Sequence, residues 1–190
     1  MGNYRTYDDS NLPSLLSLPY LGFVNINDRI YQNTRNFILS QKDEFFYAKG
    51  DISGVGSSHT PKNYIWPLAL MTQIMTSRSN KEIKNCLDSL LLSAKDNLMH
   101  ESFNVENPNQ ITREWFAWAN SFFGEMIMHL VQTNPEVLVW LSWKLLCYSY
   151  YIISIYRSVM KIIFLFAFLF LLALTQGGSV VVGNGNCVTG

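Results

Sequence analysis

The chain has 190 residues, 48% of them hydrophobic, with 14 basic and 14 acidic residues and a formal net charge of zero. That apolar content is enough for one domain with a real core. No dense Lys/Arg patch is present to neutralise a run of phosphates, which argues against nucleic-acid binding.

The neutral total hides an asymmetry. Every acidic residue lies at or before Glu136, whereas Val137 to Gly190 carries only Lys144, Arg157 and Lys161 as charges. The last quarter is therefore a different class of polypeptide from the rest. Cys86, Cys147 and Cys187 are odd in number and far apart, which makes neither a disulfide framework nor a metal-ligand spacing, so no metal and no cofactor are expected.

The start, MGNYRTYDDS, lacks the basic-then-apolar pattern of a secretory signal. Gly2 to Thr6 formally fits a myristoylation motif, but motifs this short match by chance. Leu12 to Phe23 is apolar and contains Pro13 and Pro19, so a short helix or turn is expected, ended or bent at Pro19. Asp28 is placed to cap a helix whose Ile30, Thr34, Phe37 and Ile38 share one face. Phe45 to Tyr47 is short and aromatic, and the Gly50, Gly54 and Gly56 that follow are expected to form a loop. Without a Gly-Lys-Ser/Thr ending or a convincing preceding strand, that loop makes a poor phosphate cradle. His59, beside Thr60 and Pro61, reads as a capping or surface histidine as readily as a functional one.

Tyr64 to Thr76 has helical spacing in Ile65, Leu68, Met71, Thr72 and Met75, with Pro67 in its first turn. Ser79 and Glu82 form a capping-box pattern for the next helix, where Ile83, Leu87, Leu90, Leu91 and Ala94 make a stripe and Asp96 and Asn97 the end. The stretch MHESFNVENPNQITREWFAWANSFFGE, Met99 to Glu125, then places His100 and Glu101 in a turn-rich segment before a polar loop. Thr112 is expected to cap a helix through Val131 with Phe116, Ala119, Phe123, Met126, Ile127 and Leu130 buried. A carboxylate beside Trp115 and Trp118 is the equipment of a carbohydrate site, where an acidic group moves protons and indole faces cover the apolar side of a sugar. The plainer reading, a solvated charge and a packed helix, is the one that spacing alone favours. Helix after helix with polar loops between them gives an all-α expectation, with function at the loop ends.

From Ile162 to the end no charge occurs, and Ile162 to Val182 is long enough to cross a bilayer. Val137 to Tyr156 is a second weakly charged run, and Arg157 and Lys161 favour a cytoplasmic N-terminal side. Two readings of this tail stand open: a membrane segment, or the product of a frameshift or an unspliced intron.

Three stretches in order, Asp8 to Gly22 (DDSNLPSLLSLPYLG), Gly54 to Pro67 (GVGSSHTPKNYIWP) and the Met99 to Glu125 segment, resemble the C-terminal part of glycoside hydrolase family 125, the exo-acting alpha-1,6-mannosidases. The resemblance runs from about Gly2 to about Pro135, beginning inside the family's domain. It implies the closing portion of an (α/α)6 barrel over 2–135, followed by a hydrophobic tail over 136–190. It implies an inverting, metal-independent hydrolase acting on mannose-containing glycans, with Glu101 in MHESF as general base and His59, Arg113, Trp115 and Trp118 as walls of the sugar pocket. Arg113 is also placed to orient Glu101. The family's general acid, an aspartate upstream of DDSN, has no match here, so the chain alone is expected to be inactive. Asp8 and Asp9 match a different motif and are expected to bind structure or substrate. Ser58 stands where the family's motif has Pro, which bears on the rigidity of that loop. The alternative is a noncatalytic, membrane-associated sugar-binding protein of the same descent. Localisation follows the tail: membrane-associated if it is genuine, otherwise cytoplasmic.

Overall fold

A computed structural model describes residues 7–94 and 96–146. Residues up to Leu141 group as one compact unit, and those from Ser142 onward are grouped apart. The apolar run from Ile162, the second expected domain over most of its length, lies outside the described residues. Among those described, no helix is long and apolar enough to cross a membrane.

Local signals place the first helices. After a 3-10 turn at Leu15–Ser17, α1 spans Arg29–Ile38, and the Asp28 carboxylate accepts hydrogen bonds from the amides of Ile30 and Tyr31, as its position before the helix dictates. The buried face is shifted from expectation. Tyr31 and Ile38 are buried while Ile30 is 76% exposed, because the Tyr31 hydroxyl reaches inward to the Leu16 carbonyl at 3.0 Å. That bond fixes the rotation of the helix.

The glycine-rich segment is a hairpin, not a loop. Strand β1, Phe46–Lys49, pairs antiparallel with β2, Ile52–Val55, across a turn in which Gly50 has φ +58°. Gly54 and Gly56 serve close approach instead. A Cβ at Gly54 would lie 2.7 Å from Ile65 Cγ2, and one at Gly56 would overlap the Tyr64 carbonyl oxygen and sit 2.7 Å from the Tyr47 ring. These glycines let the hairpin press against the next strand.

That strand, β3 at Tyr64–Ile65, occupies what the periodicity assigned to the start of a helix. Helix α2 spans Pro67–Met75, with Pro67 in its first turn where a missing N–H is harmless. Pro67 to Thr72, Ile74 and Met75 are all buried, so α2 is the central rod of the core and not a one-sided amphipathic helix. It packs against β2 and the next helix, α3, Asn80–Ser93, as well as the last helix described below. The Ser79 hydroxyl caps α3 through the Glu82 amide, as expected. The Glu82 carboxylate does not fold back to complete a capping box. It meets Arg35 at 2.9 Å, Gln73 at 2.8 Å and the Ser77 hydroxyl, tying α1 and α2 to α3.

The polar stretch after α3 forms a second hairpin, β4 (Ser102–Asn104) with β5 (Ile111–Thr112), and β4 also pairs with β3. Asn104 shapes its turn by accepting from the amides of Glu106 and Asn107. Thr112 is thus a strand residue and caps nothing. Helix α4 starts later, at Ala117, and runs to Thr133; Phe116 occupies its N-cap in extended conformation with no side-chain cap. Of the expected stripe, Phe116, Ala119, Met126 and Leu130 are buried, whereas Phe123 and Ile127 are only half-buried against the core. A further helical stretch covers 135–146. Among the described residues the fold is therefore dominated by helices but not all-α: five short strands gather the loops that carry the three motifs.

Candidate active site

The three motifs converge through their backbones. Ser10 joins the DDSN segment to the hairpin, its amide and hydroxyl both donating to the Gly56 carbonyl at 3.3 and 2.7 Å. The β3–β4 ladder joins the His59 segment to MHESF, continued by the Val105 amide donating to the Asn63 carbonyl at 2.8 Å.

Asp9 organises the His59 loop. It accepts from the Ser57 hydroxyl at 2.6 Å, the Ser58 hydroxyl at 2.9 Å and the Asn11 amide at 3.1 Å. Burial alone would raise its pKa, but these donors, with His59 nearby, hold it below the ordinary carboxylate value. The Ser58 hydroxyl thus pins the loop to Asp9, a contact that a proline at this position could not make.

Asp8 contrasts with its neighbour. It is buried, its Oδ1 accepts from the Leu15 amide at 3.2 Å, and its Oδ2 has no hydrogen-bond partner among the described residues. Burial raises its pKa to about 6, against the Leu15 hydrogen bond and with help from the nearby Asp43 carboxylate. The Asp8 amide in turn donates to Asp43 at 2.7 Å. Asp8 has the raised pKa of a general acid without the access.

Glu101 sits in the bend just before β4, its side chain 14% exposed. Each neighbour is fixed. Asn120 clamps Met99, His100 lies between the Glu114 carbonyl (2.7 Å) and the Asp96 carboxylate (3.2 Å), and Ser102 meets its cross-strand partner Thr112 at 2.6 Å through their hydroxyls. Arg113, directly after β5, has φ +49°, a left-handed conformation uncommon for a long side chain. Its Nε lies 3.5 Å from Glu101 Oε1, and its guanidinium lies over the Phe116 ring, Cζ 5.6 Å from the centroid.

A line of rings extends from there. His59 and Trp66 have centroids 6.4 Å apart, Trp66 and Phe116 6.1 Å, and Phe116 and Trp118 5.7 Å. The Trp66 indole N–H donates to Thr60 at 3.0 Å, so Trp66 anchors the His59 loop. Trp118 is 61% exposed and borders a cleft of about 410 Å³ with Leu12, Leu68, Ser121, Phe122 and Glu125. The structure thus links Glu101, Arg113, Trp118 and His59 in one network. Trp115 stays outside it: it is 64% exposed, with no ring partner among the described residues. Sequence reasoning gave Trp66 no role, read Phe116 as one of the aromatic rings near the carboxylate and as core, and passed over Asn120, a polar residue in the first turn of α4 with no sequence signal. Among the described residues no three or more His, Cys, Asp or Glu side chains gather where they could hold a metal ion.

Small strands thus hold loops against a helical core and bring a carboxylate, a guanidinium and the exposed Trp118 onto one network. The chain belongs to the metal-independent alpha-mannosidase family GH125, whose family profile matches residues 1–128. It is 46% identical over 139 residues to the Meiotically up-regulated gene 157 protein of Schizosaccharomyces pombe (strain 972 / ATCC 24843), covering 72% of this chain and 27% of that protein. It is also similar to a solved metal-independent alpha-mannosidase from Streptococcus pneumoniae, a non-productive substrate complex with alpha-1,6-mannobiose. That match has 44% identity and a TM-score of 0.65, over 70% of this chain and 32% of the other. The chain spans about a third or less of the length of these relatives. Its helices are consistent with part of an (α/α) barrel.

Proposed function

We propose that this chain carries the base side of an inverting, metal-independent exo-alpha-1,6-mannosidase site, with Glu101 as the general base. The observation that carries the reading is the placing of Glu101: a largely shielded carboxylate in a fixed bend, beside Arg113 and at the end of a row of aromatic rings. An inverting hydrolase needs a carboxylate to take a proton from the attacking water on the face opposite the leaving group. Glu101 has one oxygen facing Arg113 at 3.5 Å, long enough to orient the carboxylate without engaging it in a tight pair. His59 and Trp118 form walls of the mannose pocket. Trp115 belongs to the wall only where other residues complete it.

The general acid comes from outside the three motifs. Asp9 is committed to three hydrogen bonds and held below the usual carboxylate range, and Asp8 is enclosed. The chain alone accordingly lacks leaving-group protonation, a contribution of about a hundred- to ten-thousandfold. It covers 32% of the length of the solved relative. The test is hydrolysis of alpha-1,6-mannobiose by the purified 190-residue chain. No turnover is expected, whereas turnover abolished by Glu101→Ala would contradict the missing acid.

A further inference from the structure

We infer that Asn120 is a positioning residue for Glu101, acting through the Met99 peptide. Asn120 lies one turn into α4, where the inward stripe predicts an apolar residue or a solvated polar one. Its amide is instead fully directed at backbone. Oδ1 accepts from the Met99 N–H at 3.1 Å, and Nδ2 donates to the Met99 carbonyl at 2.8 Å and to the Phe116 carbonyl at 2.9 Å. The first two bonds reproduce what a paired strand residue would offer, at a point where β4 has not yet begun and Met99 has no strand partner. The third closes on the start of the helix, beside the ring that carries Arg113.

One side chain therefore adds a further tie between the two halves of the Glu101–Arg113 pair. On one side it fixes the backbone two residues before Glu101. On the other it adds a second bond to the Phe116 carbonyl, which the Asn120 backbone amide also reaches at 3.3 Å, and the Arg113 guanidinium lies over the Phe116 ring. His100 and Ser102 hold the same bend, but to Glu114 and Thr112, which precede α4. Among the hydrogen bonds of the described residues, those of Asn120 tie the bend to the helix itself, and without them this tie between the bend and the ring is lost. The inference rests on the reading of Glu101 as base, but its geometry is tested without turnover.

The experiment uses the full 190-residue chain labelled with nitrogen-15. The Arg113 Nε–H resonance is identified by its displacement in Glu101→Gln, which removes the charge it faces. Asn120→Ala and Asn120→Asp should both displace the same resonance, and Asn120→Ala, which removes the acceptor, should also speed Met99 amide exchange about tenfold, the scale of one lost hydrogen bond. Asp keeps the size and the acceptor but loses both donated bonds. Ser121→Ala, whose hydroxyl bonds only within α4, should leave the resonance in place. An Arg113 resonance unmoved in folded Asn120→Ala overturns the inference. If Asn120→Ala does not fold, an unmoved resonance in Asn120→Asp overturns it equally. Failure of the base assignment would appear elsewhere, as normal turnover in Glu101→Gln, and would leave these spectra unchanged.

Discussion

Adding one methyl group at Gly56 should cost more stability than most surface changes, while the same addition at Gly124 should raise stability. At Gly56 the new Cβ would overlap the Tyr64 carbonyl oxygen and approach the Tyr47 ring to 2.7 Å. The first of these is backbone, held by the β3–β4 ladder, so it cannot rotate away as a side chain could. The strain falls in the upper part of the overpacking range, about 2 to 3 kcal/mol. For a unit of this size that lowers the thermal midpoint by roughly 6 to 12 °C. At Gly124, inside α4, a Cβ would meet nothing within 4 Å. Gly→Ala there gains helix propensity and restricts the unfolded chain, about 0.5 to 1 kcal/mol in favour of folding. Far-UV circular dichroism melts of Gly56→Ala, Gly124→Ala and the parent read both signs at once. A Gly56→Ala melt matching the parent would refute the close approach of the hairpin to β3.

Other outcomes follow from the same geometry. Asp8 has a pKa of about 6 in the folded chain against an ordinary 3.8, so the folded state binds the proton more tightly. Its contribution therefore falls as pH rises from about 4 through about 6. Asp8→Asn should gain stability relative to the parent across that window, and a constant difference from pH 4 to 7 would contradict the burial argument. Asp9→Ala should cost about 2 kcal/mol by leaving the Ser57 and Ser58 hydroxyls and the Asn11 amide without their acceptor. Denaturant melts measure it, with Lys62→Ala as an exposed control.

What the sequence disclosed follows the range of the forces involved. Helices α1 and α3 were legible because Asp28 and Ser79 cap them within three residues of chain. The buried stripe of α4 was legible from its spacing. The two-residue strands β3 and β5 were not, since each exists only by pairing with β4, itself tens of residues from β3 in sequence. Thr112 resembles an N-cap locally, and only its pairing with Ser102 assigns it to a strand. In the site, Glu101, Arg113, His59 and Trp118 could be named from the family's motifs. Trp66, Phe116 and Asn120 could not, because their roles are contacts between segments: a ring between two rings, a ring under a guanidinium, and an amide spent on a distant peptide.

The central claim is that Glu101 accepts the proton of the attacking water. It is tested most directly by the turnover of alpha-1,6-mannobiose in a version completed with the upstream part of a family barrel, comparing Glu101→Gln with Glu106→Gln. Gln keeps the size of the side chain but cannot take the proton. The rate should fall about a hundredfold or more with substrate binding little changed. Glu106 is an exposed turn residue whose replacement should stay within a few fold. Near-normal turnover in Glu101→Gln, or a larger loss at Glu106, would contradict the assignment and leave MHESF as a structural bend before β4.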